Sequence, residues 1–460
     1  MTKTLRQGYL LFLAVLMTAL ASCSDKKTVD LLDIAGDDAQ AIIMIKPVDL
    51  LKSFDARIED GKLVLPKALK RNLGNDFDDM LKIEGLDYEL GMVAYYEHSP
   101  YYLAAMNVKD ADALARSLKK MGYRKQTMAG LPVFANDDEA TLFVIKENTL
   151  IVFNSWNSDR WEECVETIID RVSTPVAAWK KDAIVKNSSN TIYGLGMSPD
   201  NRVDLSIPFF INLDGAALHA EARFYDLDGK TIDWTELTGV DFSTIGEESS
   251  LLSSKDAFAF AFGGFDENLY KVLNKLDDKG FRLPYGVKRN MDEDIMKALT
   301  GGFFGSINIV DPTSRRYDRL SAYNIVAGAT TVEGKGVRLL KNIVGMLKDN
   351  GLAIKSSSEG YTFRIPDQGT VEAYATDNDI VVATEDKTPN STMSRSALDD
   401  CYAWMSLNIP EAFAPLKQFG VKVGMKGEYK LKADVMQLDF EFVGSDKPFM
   451  ATIMDIAERN

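Results

Sequence analysis

Two histidines, His98 and His219, and three cysteines, Cys23, Cys164 and Cys401, are all that 460 residues offer in imidazole and thiol chemistry. A zinc centre needs three or four such ligands at short, fixed spacing, and a nucleophile needs a base within reach. His98 stands in "YYEHSPYY", the turn of an expected hairpin, and His219 in a strand of alternating polarity. Neither has a second histidine or a cysteine at ligand spacing. HExxH, P-loop and GxSxG patterns do not occur. "GLGMSPD" from Gly194 opens like a dinucleotide loop, but Pro199 stands where the third glycine belongs. "DLDGKTID" from Asp226 suggests a calcium loop. With Gly229 at its centre, however, Phe224 and Thr235 occupy ligand positions that require acids, which favours a hairpin turn at Asp228-Gly229. These residues define no catalytic group, no metal ligands and no cofactor.

Carboxylate chemistry is the remaining enzymatic option, since two acids suffice for glycoside hydrolysis. The acid clusters "NDFDD" (75–79) and "MDEDIM" (291–296) could hold a metal, but acids in a first helical turn are also stabilised by the helix dipole. Tyr95, Tyr96, Tyr101 and Tyr102 flank one hairpin and could stack on sugar rings or serve packing. Lys70-Arg71-Asn72 recurs as Lys288-Arg289-Asn290, a duplicated polar site or an inherited helix surface. Cys164 lies on the apolar face of a helical stretch with Trp161, Val165 and Ile168, and Cys401 opens a strand-like run. Each reads as a small buried hydrophobe; a disulfide between them has no framework pattern behind it.

Cys23 is different. Lys3 and Arg6 precede an apolar run, Gly8 to Leu20, and small residues follow. Thirteen helical residues rise only about 20 Å against a hydrocarbon core of about 30 Å, which makes residues 1–22 a signal peptide and not a span. Leu20-Ala21-Ser22-Cys23 matches the bacterial lipobox. The match implies cleavage before Cys23 and its acylation with thioether-linked and palmitate-type chains, two or more of which anchor a protein stably. Ordinary cleavage after Ala19-Leu20-Ala21 would instead release a soluble periplasmic protein. Removing residues 1–22 leaves 51 Lys+Arg against 68 Asp+Glu, a net charge of −17. Such a surface excludes nucleic acid as a partner.

The elements that would position any site occur twice. "DAQAIIMIKPVDLLKSF" from Asp38 aligns without gaps on "DAFAFAFGGFDENLYKV" from Asp256, and Leu65-Pro66 then meets Leu283-Pro284. About a dozen pairs between residues 38 and 81 are identical, where chance gives about three. "ATLFVIKENTLIVFNS" from Ala140 matches "GTVEAYATDNDIVVAT" from Gly369. Each copy runs strand, helices, two strands, helix, hairpin. Asp110 caps the expected crossing helix of the first copy and Gly122 ends it. Val337, Leu340, Val344 and Leu347 form the stripe of the second. Strands running into strands predict an α+β fold: two homologous tandem domains, each an antiparallel or mixed sheet with helices on one face. The expected boundaries are a signal peptide at 1–22, a tether at 23–37, repeats at 38–236 and 256–460, and a Ser- and Gly-rich linker at 237–255.

With its lipobox, its tandem α+β repeat and the stretch "GLPVFANDDEATLFVIKENTLIVFNS" from Gly130, the sequence resembles a family of uncharacterised Bacteroidota lipoproteins. The resemblance implies a lipid-anchored protein of the cell envelope at the outer membrane, on its periplasmic or surface face, and transfers a role to Cys23 alone. The function expected is a non-catalytic binding or assembly protein, joined to the membrane by its N-terminal lipid, with an envelope protein or glycan as partner. The alternative is a carboxylate-dependent glycan-active enzyme.

Overall fold

The computed structural model describes residues 31–59, 62–67, 69, 83–98, 100–136, 139–154, 160–197, 205–246, 252, 255–280, 292–313, 319–357, 360–365, 369–384, 398, 400–418 and 420–459. Cys23, both Lys-Arg-Asn triplets and the acid cluster at 75–79 lie outside them. The chain divides into two compact units, Met1–Lys230 with Asp446–Glu458, and Thr231–Ser445 with the last two residues.

Helix α1 (Leu31–Ala35) opens the first unit, followed by strand β1 (Ala41–Ile45), α2 (Pro47–Ser53) and a small hairpin of β2 (Arg57–Glu59) and β3 (Lys62–Val64). Then come β4 (Leu86–Tyr95), β5 (Tyr102–Val108), α3 (Ala111–Lys120), β6 (Arg124–Met128), β7 (Leu131–Asn136), β8 (Glu139–Lys146) and β9 (Thr149–Asn154). Helices α4 (Trp161–Val172) and α5 (Ala178–Val185) lead to β10 (Ile192–Met197), β11 (Ser206–Asp214) and β12 (Ala217–Arg223). All strands but β2 and β3 join in one antiparallel order, β6-β7-β8-β9-β5-β4-β1-β10-β11-β12.

The second unit begins with α6 (Trp234–Thr238), β13 (Phe258–Phe262), α7 (Leu269–Asp278), α8 (Glu293–Ala298), β14 (Leu299–Ile309), β15 (Tyr323–Thr331) and α9 (Gly336–Asp349). Strands β16 (Ile354–Ser356), β17 (Tyr361–Ile365), β18 (Gly369–Ala375), β19 (Asp379–Thr384) and β20 (Ala403–Ile409) follow. Short α10 (Ala414–Gln418), β21 (Gly424–Leu431) and β22 (Val435–Val443) complete it. Its order, β16-β17-β18-β19-β15-β14-β13-β20-β21-β22, repeats that of the first unit position for position. Each sheet also breaks register at the same place, between Leu86 and Gly91 in β4 and between Leu299 and Phe303 in β14.

Every described pairing is antiparallel, so the α+β expectation holds and its mixed-sheet option does not. The expectation of helices on one face needs correcting for the first unit. There Ile42 and Met44 of β1 enter a core with α1, α4 and α5, while Ile45 and Ile43 enter another with α2. Strand β9 is buried at every position. A central strand of this kind has a paired neighbour on each edge and needs apolar cover on both sides. The second unit does carry its helices on one face, where α7, α8 and α9 pack on Phe363, Ala373 and Ile380. Its other face is closed by Ile245, Leu252, Leu398 and Trp404.

The expected boundaries shift for similar reasons. Residues 31–37, expected in the tether, contain α1, whose Leu31, Leu32, Ile34 and Ala35 are buried. Part of the expected linker is built into the second unit, where Val240 and Leu252 are buried and Phe242 bridges to Phe265. The chain end returns to the first unit as α11 (Phe449–Arg459). Phe449 N–H donates to the Gly215 carbonyl at 2.8 Å, and Met454 packs beside Leu50, Leu51 and Leu213. Helix α3 matches its expected signals: Asp110 accepts from the Asp112 and Ala113 N–H groups, and Gly122 follows at φ 93°. In α9 the stripe is rotated, with Leu339 buried and Val337 64% exposed.

Because α11 covers α2, Phe449→Ala is expected to destabilise the first unit by about 3 kcal/mol. Hydrogen exchange checks this: amides of β1, β10 and β11 should lose protection while those of β13, β14 and β15 keep theirs. Uniform loss in both units would contradict the assignment of α11.

Candidate functional site

The densest polar cluster among the described residues sits where the chain enters the first unit. Arg171, near the end of α4, is 7% exposed and surrounded by acceptors. Its Nε donates to Asp38 Oδ2 at 3.0 Å, Nη1 to the Pro100 carbonyl at 3.1 Å and Nη2 to the His98 carbonyl at 3.2 Å. The guanidinium lies 3.8 Å from the Tyr96 ring centroid. A planar cation with several fixed donors suits this role, since a buried charge is tolerated only when its donors are satisfied. The Tyr96 hydroxyl donates to the Ala35 carbonyl at 2.6 Å. Burial pushes that phenol well above its ordinary pKa, with Arg171 pulling partly against it.

Helix α5 supplies the rest. Lys180, also buried, donates to the Asp37 carbonyl and pairs with its carboxylate, each at 2.9 Å, and Lys181 pairs with Asp33. Asp37 Oδ1 accepts from the Ala177 N–H at 2.9 Å. Burial pushes the Asp37 carboxyl up, but the Ala177 N–H and the Lys180 ammonium outweigh it and hold the pKa below its ordinary 3.8. Gly36 has φ 71°, and a Cβ there would stand 2.7 Å from the Arg171 carbonyl oxygen, so the turn requires glycine. Residues 33–38 are thus clamped between α4, α5 and the hairpin joining β4 to β5. The arrangement holds a chain segment firmly and leaves its charges paired; it is a mechanical site.

The residues singled out in the sequence are scattered. His98 contributes a carbonyl to the clamp, and the His219 ring lies 5.3 Å from that of Phe210. Cys164 and Cys401 form no disulfide and lie buried in different units, and burial pushes the Cys401 thiol up. The four tyrosines do not form one platform. Tyr95 pairs across the hairpin with Tyr102, whereas Tyr96 faces the opposite, buried side. Tyr95 is 48% and Tyr101 53% exposed. Asp292 caps α8 by accepting from the Asp294 and Ile295 N–H groups, and Glu293 pairs with Lys297. The described part of the second acid cluster therefore serves its helix. Asp226 accepts from the Asp228 and Lys230 N–H groups around Gly229 at φ 80°, the turn expected there. Among the described residues, no group of three or more His, Cys, Asp or Glu side chains is placed to hold a metal ion.

The clamp itself was missed by sequence reasoning. Its signal was the run Leu31-Leu32-Asp33-Ile34-Ala35-Gly36, an apolar turn closed by glycine, too short for periodicity to resolve.

No family model matches the chain, and no curated protein matches it. Among solved structures, crystal form III of TP0453 aligns with a TM-score of 0.33 at 11% identity, covering 48% of this chain and 92% of that one. Crystal form I of TP0453 aligns with a TM-score of 0.29 at 10% identity, covering 48% and 90%. Likenesses of this size define neither a family nor an activity for the chain.

Two outcomes test the clamp. Arg171→Met leaves two carbonyls unpaired and removes the cation–π contact, which should cost about 2–3 kcal/mol in urea unfolding. Asp37, with its depressed pKa, contributes stability that is full above pH 3.8 and lost as pH falls through the lower folded-state value. Asp37→Asn should therefore be less stable than the native chain at pH 7, with the two acid-unfolding curves converging below pH 3.8. Parallel curves would remove Asp37 from the pH dependence.

Proposed function

We propose that this chain is a lipid-anchored envelope protein of the outer membrane, a duplication of one α+β domain that binds or assembles with an envelope partner and is not a catalyst. The observation that carries the reading is the repeated strand order. Two sheets with the same arrangement and a register break at the same place in both support descent from one duplicated domain. The gapless match from Asp38 to Asp256 supports it independently.

Anchoring rests on Leu20-Ala21-Ser22-Cys23, and the clamp gives it physical sense. Cys23 stands eight positions before Leu31, the first described residue of the fold, so the leash reaches at most about 28 Å. A pull on such a leash is received by α1 and passed through Asp33, Asp37 and Asp38 to α4 and α5. A fold tethered this closely at its first unit suits a protein that presents surfaces, and the acidic mature chain keeps nucleic acid away.

Cys23→Ala should abolish incorporation of labelled palmitate and shift the protein from the membrane to the soluble fraction. Cross-linking of the native lipoprotein in its own envelope, followed by mass spectrometry, should then recover one partner in near-equal amount. Palmitate labelling that survives Cys23→Ala would sink the anchor. Recovery of stray proteins alone would sink the binding reading.

A further inference from the structure

We infer that the second unit carries a self-association surface, and that two copies of this chain meet through the same sheet face. The face is the side of β13 opposite Ala259 and Ala261. Phe260 there pairs with Gly305 of β14 and Met405 of β20, and the register continues through Ala327 to Val382 on one side and through Tyr429 to Leu438 on the other. Phe303 is 40% exposed, Ile307 36%, Val382 38%, Met405 45% and Leu438 38%. No residue that the register places on this face of β13, β14, β15, β20, β21 or β22 is charged. The reverse face of β21 and β22 holds Lys426, Glu428, Lys430, Asp439 and Glu441. An ordinary half-exposed antiparallel sheet carries its charges on the open side. Here both sides of β21 and β22 reach solvent, through Lys426, Asp439 and Glu441 on the charged side and Leu438 on the other, and the side that continues across β20, β13, β14 and β15 carries no charge.

The first unit shows what such a face requires. Ile43, Val93 and Ile192 occupy the corresponding strands and are covered by Leu50 and Leu51 of α2 and by Met454 of α11. Among the described residues of the second unit, α7, α8 and α9 pack at the end near Phe363 and Ile380.

Size and charge select the occupant. The strands from β22 to β15 span about 24 Å, at about 4.8 Å per strand, whereas one helix or one extended apolar chain covers about 10 Å of that width. The exposed apolar area is on the order of 600 Å², at the upper end for a free monomer and close to the ~800 Å² that each partner contributes to a standard interface. A second copy of the same face has the right width, stacks at the usual sheet spacing of about 10 Å, and closes the contact by a two-fold axis. Two chains with a net charge of −15 each repel over most of their surface, and this neutral face lets them meet without burying like charges. The inference does not depend on the lipid anchor.

Sedimentation equilibrium of the mature chain carrying Cys23→Ser, which removes lipid-driven assembly, tests it. The native face should give twice the chain mass at micromolar concentration. Met405→Asp, and separately Phe303→Asp, should weaken association at least about 100-fold and give the single-chain mass. Both side chains are open to solvent, so the far-ultraviolet circular dichroism should stay unchanged; Met405→Thr provides a milder variant should either aspartate disturb folding. Tyr101→Asp, exposed in the first unit, should leave the dimer intact. A single-chain mass for the native face at 100-fold higher concentration overturns the inference. So does a dimer that survives both aspartates, or a single chain that retains bound lipid by native mass spectrometry.

Discussion

Strands β1 and β13 each lie between two hydrogen-bonded neighbours, and that placement governs most of what surrounds them. A strand paired on both edges has its backbone groups satisfied, so its stability turns on what covers its two faces. In β1 the residues Ala41-Ile42-Ile43-Met44-Ile45 send alternate side chains into two cores. One core demands α1, α4 and α5; the other demands α2, and beyond it a further layer. Leu65 and Leu69 join that core from nearby in the sequence, and the chain returns from residue 446 to add Met454 of α11. The far end of the sequence thus completes a core that its beginning opens.

The clamp follows from the same demand. To bury α1 against β1, the short stretch from Asp33 to Asp38 must turn sharply and bring its carboxylates under α4 and α5. A guanidinium in that position serves where an ammonium would not, because it can address a carboxylate and two carbonyls at fixed angles while its flat face rests on Tyr96. The cost of burying its charge is offset only while all these partners hold, so segment, helix and hairpin are fixed together.

The two sheets differ chiefly in their cover. Residues 155–191 of the first unit contain α4 and α5, whereas the matching connection in the second, 385–402, is about half as long. There Trp404, anchored by Nε1 donating to Glu428 at 2.9 Å, packs with Leu252 and Leu398 on the corresponding face. On the opposite side the second unit has no described counterpart of the α11 contact, and Phe303 remains 40% exposed. Strand order is held by many hydrogen bonds at once and a covering helix by one apolar seam, so two sheets of the same order can differ most in such coverings.

Much of this was readable in the chain. Alternation and turn chemistry located the β8–β9 hairpin around Glu147-Asn148, and capping located α3, because both are short-range effects whose causes lie within a few residues. Self-similarity announced a repeated order of elements, and Asp226-Asp228-Gly229 announced its turn. Register was not readable. The gapless alignment pairs Ile42 with Phe260, yet Ile42 faces α4 and α5 while Phe260 lies on the face of α7, α8 and α9. When every residue of a strand is apolar, period two points to neither face, and one step of slip exchanges them. The clamp and the return of α11 were equally invisible, since each is a contact between segments far apart in sequence. Local pattern records which side chains seek cover. Which distant segment supplies it, and where cover is withheld, is a property of the packed chain.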